Sequence, residues 1–223
     1  MAQNDEFIRE VDEEYRRDRI AQAWAKYNGV IIGLAILLVA AVGGWRFYEH
    51  QQETRAQAAA ARYQGAIELA AEGKGEEART GFDALAKEAP AGYALLARFR
   101  VAAELGKGNA EEGAKAYDAL AADTGIDPLW RDLARLRAAT LRMDSADQAA
   151  IRGALEPLAA PSNVWRHSAR ELLGLSGLKS GDMDYAGRWF DQIAADRETP
   201  ASLRQRLETY TALVAGGPVQ VTQ

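Results

Sequence analysis

The strongest constraint on this chain is a spacing. Pro90, Pro128, Pro161 and Pro200 stand 38, 33 and 39 residues apart, and a pentapeptide recurs ahead of each. It reads FDALA from Phe82, YDALA from Tyr117, LEPLA from Leu155 and FDQIA from Phe190, with first residues 35, 38 and 35 apart. Shorter breaks fall midway, at Gly73-Lys74-Gly75, Gly106-Lys107-Gly108-Asn109, Met143-Asp144-Ser145 and Ser180-Gly181-Asp182. After His50, alanine, leucine, arginine and glutamate dominate and apolar residues recur at three and four, with no alternating β-branched runs. Each unit therefore reads as two helices joined by a tight turn.

A period in the mid-thirties built from helix pairs is the signature of the tetratricopeptide class, in which each hairpin buries its apolar face only by stacking on its neighbours. The expected fold is all-α: an N-terminal transmembrane helix followed by a tetratricopeptide-like solenoid. Its hairpins are expected at about 52 to 90, 91 to 126, 128 to 160 and 163 to 198, with a capping helix over 200 to 215. The pentapeptides sit in the second helices. Ala78, Phe82 and Leu85 fall at i, i+4 and i+7, a pattern repeated by Gly113, Tyr117 and Leu120 and by Ala186, Phe190 and Ile193. The small residue lets the two helices of a hairpin approach, and the larger ones fill the space between hairpins. Ile151, Leu155 and Leu158 match less well, and Pro157 implies a kink or early end there.

The second organising feature is a run without charge. Tyr27 to Trp45 reads YNGVIIGLAILLVAAVGGW, nearly long enough for a hydrocarbon core of about 30 Å. Its nine large aliphatic residues favour insertion by a sum on the order of 3 to 5 kcal/mol. Trp24 and Tyr27 flank one end and Trp45, Phe47 and Tyr48 the other, as in an aromatic belt. A cleaved signal peptide fits poorly, because seven acids precede the run and no clear small-x-small cleavage site follows it. Arg9, Arg16, Arg17, Arg19 and Lys26 lie before it, against Arg46, Arg55 and Arg62 after it, a bias of five to three that favours a cytoplasmic N-terminus. The expected parts are a cytoplasmic segment 1–26, a membrane helix 27–48, a repeat domain 49–215 and a flexible tail 216–223. Gly29 and Gly33, and Ala40 and Gly44, set small residues four apart, a spacing that admits a second membrane helix and is also common in any membrane helix. In the first segment Phe7, Val11 and Tyr15 can line one face of a solvated helix.

Chemistry leaves little trace. There is no cysteine, and His50 and His167 are the only histidines, so disulfides, thiolate nucleophiles and cysteine metal sites are excluded. A formal charge of −5 argues against nucleic acid. Gly108-x-x-x-x-Gly113 continues Ala114-Lys115 and follows a helix, so it is an inter-helix turn and not a phosphate loop. His167 shares a helix face with Glu171, without further metal ligands nearby, and reads as a surface or capping group. Glu76-Glu77 and Glu111-Glu112 lie in first turns, where acids favour the helix dipole. No catalytic residue, cofactor, metal or small-molecule substrate is expected.

The stretch AWAKYNGVIIGLAILLVAAVGGWRFYEHQQ, residues 23 to 52, followed by a repeat array, resembles the bacterial family of ancillary subunits of the SecYEG translocon. Trp24, Asn28-Gly29, Gly44-Trp45-Arg46-Phe47-Tyr48 and His50-Gln51 carry the likeness. The resemblance implies one inner-membrane helix, a periplasmic repeat domain, association with translocon subunits and a membrane-anchored periplasmic chaperone, and help for emerging polypeptides. It supplies no catalytic residues. A membrane-anchored scaffold for another envelope complex, or a regulator acting through the cytoplasmic segment, suits the same layout. First helices usually line the groove of such arrays, so Leu95, Arg98, Ala102 and Leu175 are the expected partner-binding residues. Gly29, Gly33, Ala40 and Gly44 are the expected membrane-helix contact.

Overall fold

The computed structural model describes residues 2–217, with side chains from residue 16 onward except at positions 18, 23 and 31. Among the described residues all regular structure is helical. The helices are α1 (Ala2–Ala71), α2 (Gly75–Glu88), α3 (Ala91–Gly108), α4 (Ala110–Ala122), α5 (Pro128–Arg142), α6 (Gln148–Leu155), α7 (Arg166–Ser180), α8 (Met183–Ala195) and α9 (Ala201–Gly216). One turn of 3₁₀ helix, Glu156–Ala159, follows α6. The chain divides into two compact units, Met1–Gln57 and Ala58–Gln223. The proposed face of Phe7, Val11 and Tyr15, and the tail beyond Gly217, lie outside what is described.

In the first unit the helix carries the apolar run. Val30, Ile32, Leu34, Ile36, Leu37, Leu38, Val39 and Val42 are between 53% and 69% exposed. Within Ile32–Ala71 lies a stretch long and apolar enough to cross a membrane, of mean hydropathy 1.4 and with none of it buried by protein. The helix does not stop where the uncharged run stops. No proline interrupts the alanine-rich stretch from Gln51 to Ala71, and the backbone turns only at Gly73, whose φ of +80° is open to glycine.

In the second unit the residues of α1 from Ala58 onward pair with α2, and α3 with α4, α5 with α6, and α7 with α8 follow as successive hairpins. The punctuation has local causes. Asn109 Oδ1 accepts from the backbone N–H groups of Glu111 (3.0 Å) and Glu112 (3.3 Å). Asp127, Asp147 and Asp182 cap α5, α6 and α8 in the same way, each satisfying an amide that the helix leaves free. Pro157 ends α6 early, as its missing N–H requires.

Four buried clusters run along the array. Phe82 and Leu85 pack with Ala59, Ala66, Ala78 and Ala97; Tyr117 and Leu120 pack with Ala102, Ala114, Ala134 and Ala138. Leu155 and Leu158 join Leu136, Ala169 and Leu173, while Phe190 and Ile193 join Leu203 and Leu207 of the last helix. Every cluster draws on helices from adjoining units, which is why one hairpin alone has no closed core. The pentapeptide residues Phe82, Leu85, Leu155, Phe190 and Ile193 are fully buried.

Gly106 departs from its expected role. The sequence assigns it to a turn, whereas α3 continues through it to Gly108 and the break is Asn109 alone. Gly106 instead meets Gly113 of α4. A Cβ on Gly113 would stand 2.5 Å from Gly106 Cα, 2.6 Å from Gly106 N and 2.9 Å from Ala102 O, so the backbones of this hairpin are in direct contact.

Candidate functional site

The first helices of three successive units face a common hollow of about 330 Å³. Tyr63 comes from α1, Leu96, Phe99, Arg100 and Ala103 from α3, Trp130, Leu133 and Arg137 from α5, with Tyr117 of α4 beneath. The α3 residues are spaced i, i+3, i+4 and i+7, one stripe of the helix, and the α5 residues repeat it at i, i+3 and i+7. The floor is aromatic. Phe99 meets Trp130 edge to face at 5.8 Å between centroids and Tyr117 at 5.7 Å, contacts that fix the rings beyond simple burial. The Tyr117 hydroxyl donates to the Phe99 carbonyl (3.2 Å). Burial raises its pKa above the ordinary tyrosine value, with the nearby guanidiniums of Arg137 and Arg100 acting in the opposite sense.

The rim is basic. Arg100 Nε donates to the Tyr63 hydroxyl (3.1 Å). Among the described residues neither Arg100 nor Arg137 has a carboxylate within salt-bridge distance.

The expected partner-binding residues sit elsewhere. Ala102 is fully buried against α4 and exposes no surface, and Leu95 packs half-buried beside it. Arg98 pairs with Asp123 at the end of α4 (2.9 Å), where its guanidinium holds the Asp123 carboxyl below the usual range. Leu175 is half-buried on α7. None of the four lines the hollow. The helix face that does begins one residue later, at Leu96, a rotation of about 100°. Gly29, Gly33 and Gly44 have open space where a Cβ would stand, and Ala40 is exposed.

A model of the tetratricopeptide repeat-like domain matches residues 22–209. The chain belongs to that family. No curated protein and no solved structure matches it. Repeat-like domains of this kind offer concave surfaces to other proteins, so a protein-binding scaffold is the function class that fold and hollow share.

A second polar cluster lies at the far end of the array. Asp196 Oδ2 accepts from Arg166 Nε (2.9 Å) and Arg170 Nη1 (3.1 Å), and lies 3.0 Å from His167 Nε2; Oδ1 accepts from the Glu198 amide (3.0 Å). Arg166 also pairs with Glu198, and buried Arg170 donates to the Ala159 carbonyl (3.1 Å). The Arg166 guanidinium, with the Glu198 amide, holds the Asp196 carboxyl far below the ordinary carboxylate range. His167 is thus neither a surface nor a capping group: it is largely buried and turns to the loop after α8. Glu171, expected beside it, faces α9, accepting from Arg206 at 2.8 and 2.9 Å and from the Tyr210 hydroxyl at 2.9 Å. The cluster ties α7 to Ala159 ahead of it and to the loop after α8. Among the described residues no group of three or more potential ligands is arranged for a metal.

Proposed function

We propose that this protein is a non-enzymatic, single-pass inner-membrane adaptor of the protein-export translocon. Its N-terminus lies in the cytoplasm and its repeat-like domain in the periplasm, where it assists a membrane-anchored chaperone with emerging polypeptides. The observation that supports the reading is the union in one chain of an apolar stretch of α1 that, among the described residues, no protein surface covers and an array with an open aromatic hollow. A lipid bilayer is the solvent that removes the cost of exposing the first, and binding without turnover suits the second. The junction from Trp24 to Gln51 supplies the likeness to the translocon's ancillary subunits. On this reading Gly29, Gly33, Ala40 and Gly44 offer the close approach for a neighbouring membrane helix.

The test is purification of the tagged chain in mild detergent after in-cell photocrosslinking from Leu95, Leu96, Trp130 and Leu175. Capture of translocon subunits and a membrane-anchored chaperone supports the proposal. Capture of a different envelope complex in their place makes the protein a scaffold for that complex and overturns it. Loss of function on deleting residues 1–20, with the repeat-like domain still folded and still uncoupled from the translocon, would transfer the function to the cytoplasmic segment. Reporter fusions at each end check the orientation independently.

A further inference from the structure

We infer that the hollow across α1, α3 and α5 is a docking groove for an acidic segment of a partner protein, one in which side-chain carboxylates alternate with bulky apolar residues. The inference deepens the adaptor reading and rests on it. Charge is its first support. The chain carries 32 acids against 27 lysines and arginines, and acids elsewhere in the domain engage guanidiniums readily: Glu88 holds Arg62, Asp123 holds Arg98, Glu111 and Asp118 hold Arg142. Yet Arg100 and Arg137 face one hollow, both close enough to act on the Tyr117 hydroxyl, with no carboxylate paired to either among the described residues. Two like charges beside a low-dielectric aromatic floor repel, and a carboxylate between them removes that repulsion. Arginine's planar fork suits a carboxylate in a bidentate arrangement, and its weak hydration makes surrendering water cheaper than it is for lysine.

The floor supplies the other half of the recognition. Phe99, Trp130, Leu96 and Leu133 form an apolar surface fixed by ring contacts, the kind of pre-set aromatic site at which binding energy concentrates. Extent decides between an internal segment and a chain terminus. Three neighbouring first helices at about 8–10 Å between axes span roughly 16–20 Å, which an extended peptide covers with about five or six residues at ~3.3 Å each. Alternate side chains of such a segment point the same way. Acids can then reach the arginine rim while apolar side chains enter the floor. A single terminal carboxylate would use only part of this length.

The experiment measures fluorescence anisotropy of labelled, C-terminally amidated peptides with the full chain in mild detergent. One peptide alternates glutamate with tyrosine and leucine; its partner carries glutamine at every glutamate. The glutamate peptide is expected to bind about tenfold or more tighter, with affinity falling as salt rises. Arg137→Gln, which breaks no hydrogen bond among the described residues, is expected to cost about three- to tenfold with an unfolding midpoint unchanged within error, and R100Q/R137Q to abolish the preference, its midpoint shifting only as far as the lost Arg100–Tyr63 hydrogen bond requires. Equal binding of the two peptides, or an unaltered preference in R100Q/R137Q, overturns the inference while leaving the groove a binding site. Tight binding only when the peptide's terminal carboxylate is free overturns it in favour of a chain terminus. Concentration-dependent self-association that R100Q/R137Q removes, without any peptide preference, assigns the groove to a second copy of the chain. If neither peptide binds while groove crosslinks still capture the translocon, the adaptor reading stands and the acidic segment falls.

Discussion

Gly113→Ala isolates the contact that makes the second hairpin, because two opposing effects are both readable. In a helix interior alanine is favoured over glycine by about 1 kcal/mol, so propensity alone makes the substitution stabilising. The added methyl, however, would stand 2.5 Å from Gly106 Cα, 2.6 Å from Gly106 N and 2.9 Å from Ala102 O. All three are backbone atoms of α3, and no rotamer change can relieve them. Separating the helices also disturbs Ala102 and Tyr117, which share one buried cluster. Overpacking of this kind costs about 3 kcal/mol, the upper part of its usual range, and leaves a net loss of about 2 kcal/mol. For a domain of this size that corresponds to a fall in Tm of about 4–8 °C. Gly65→Ala provides the opposite case: nothing lies within 4 Å of its added methyl, and the same propensity argument predicts a gain of up to about 1 kcal/mol. Thermal unfolding of both variants, followed by circular dichroism on the full chain in detergent, checks the pair. A Gly113→Ala protein as stable as the parent would refute the reading of a backbone-to-backbone hairpin contact.

Phe190→Ala removes a fully buried ring stacked on Tyr210 at 5.1 Å and is expected to cost about 3–5 kcal/mol in denaturant titrations, whereas Val164→Ser, at a 68% exposed position, should stay within about 0.5 kcal/mol. Asn109→Ala deprives the Glu111 and Glu112 amides of their acceptor and should lower stability by about 1 kcal/mol in the same titrations. The Asp196 carboxyl has a folded pKa far below its unfolded value of about 3.9, so its contribution is present above that value and is lost as pH falls below it. Tm measured from about pH 6 down to about pH 3 should therefore drop less steeply in Asp196→Asn than in the parent, and identical slopes would count against the cluster.

The fold was largely legible because its signals are local. Proline spacing, the glycine and asparagine breaks, and the buried Phe82 and Phe190 of the pentapeptides each depend on a few neighbouring residues and on helical periodicity. The groove was less legible. Leu95 and Leu96 are adjacent and chemically identical, yet one packs toward α4 and the other borders the hollow. Three of the four expected positions, Leu95, Arg98 and Ala102, lie on the neighbouring stripe of α3, and Leu175 lies on α7, away from the hollow. The i, i+3, i+4, i+7 recurrence of Leu96, Phe99, Arg100 and Ala103, echoed by Trp130, Leu133 and Arg137, was the signal available, and an equally apolar neighbouring stripe obscured it. The Asp196 cluster had no signal of that kind, since its charged side chains are up to 32 residues apart.

By itself, then, the sequence determined that the chain is helical, near which breaks each hairpin turns, which residues of the second helices are buried, and that one apolar stretch precedes the array. Those properties follow from backbone preferences and from the burial of one stripe per helix, both set within a few residues. Only the tertiary structure decided which stripe of α3 and α5 meets a neighbour and which is left to the hollow, that Gly106 and Gly113 bring two backbones into contact, and that Arg100 and Arg137 share a hollow with no carboxylate paired to either among the described residues. These depend on the rotation of each helix about its own axis, and that rotation is fixed by the packing of adjacent hairpins, at distances the linear pattern does not encode.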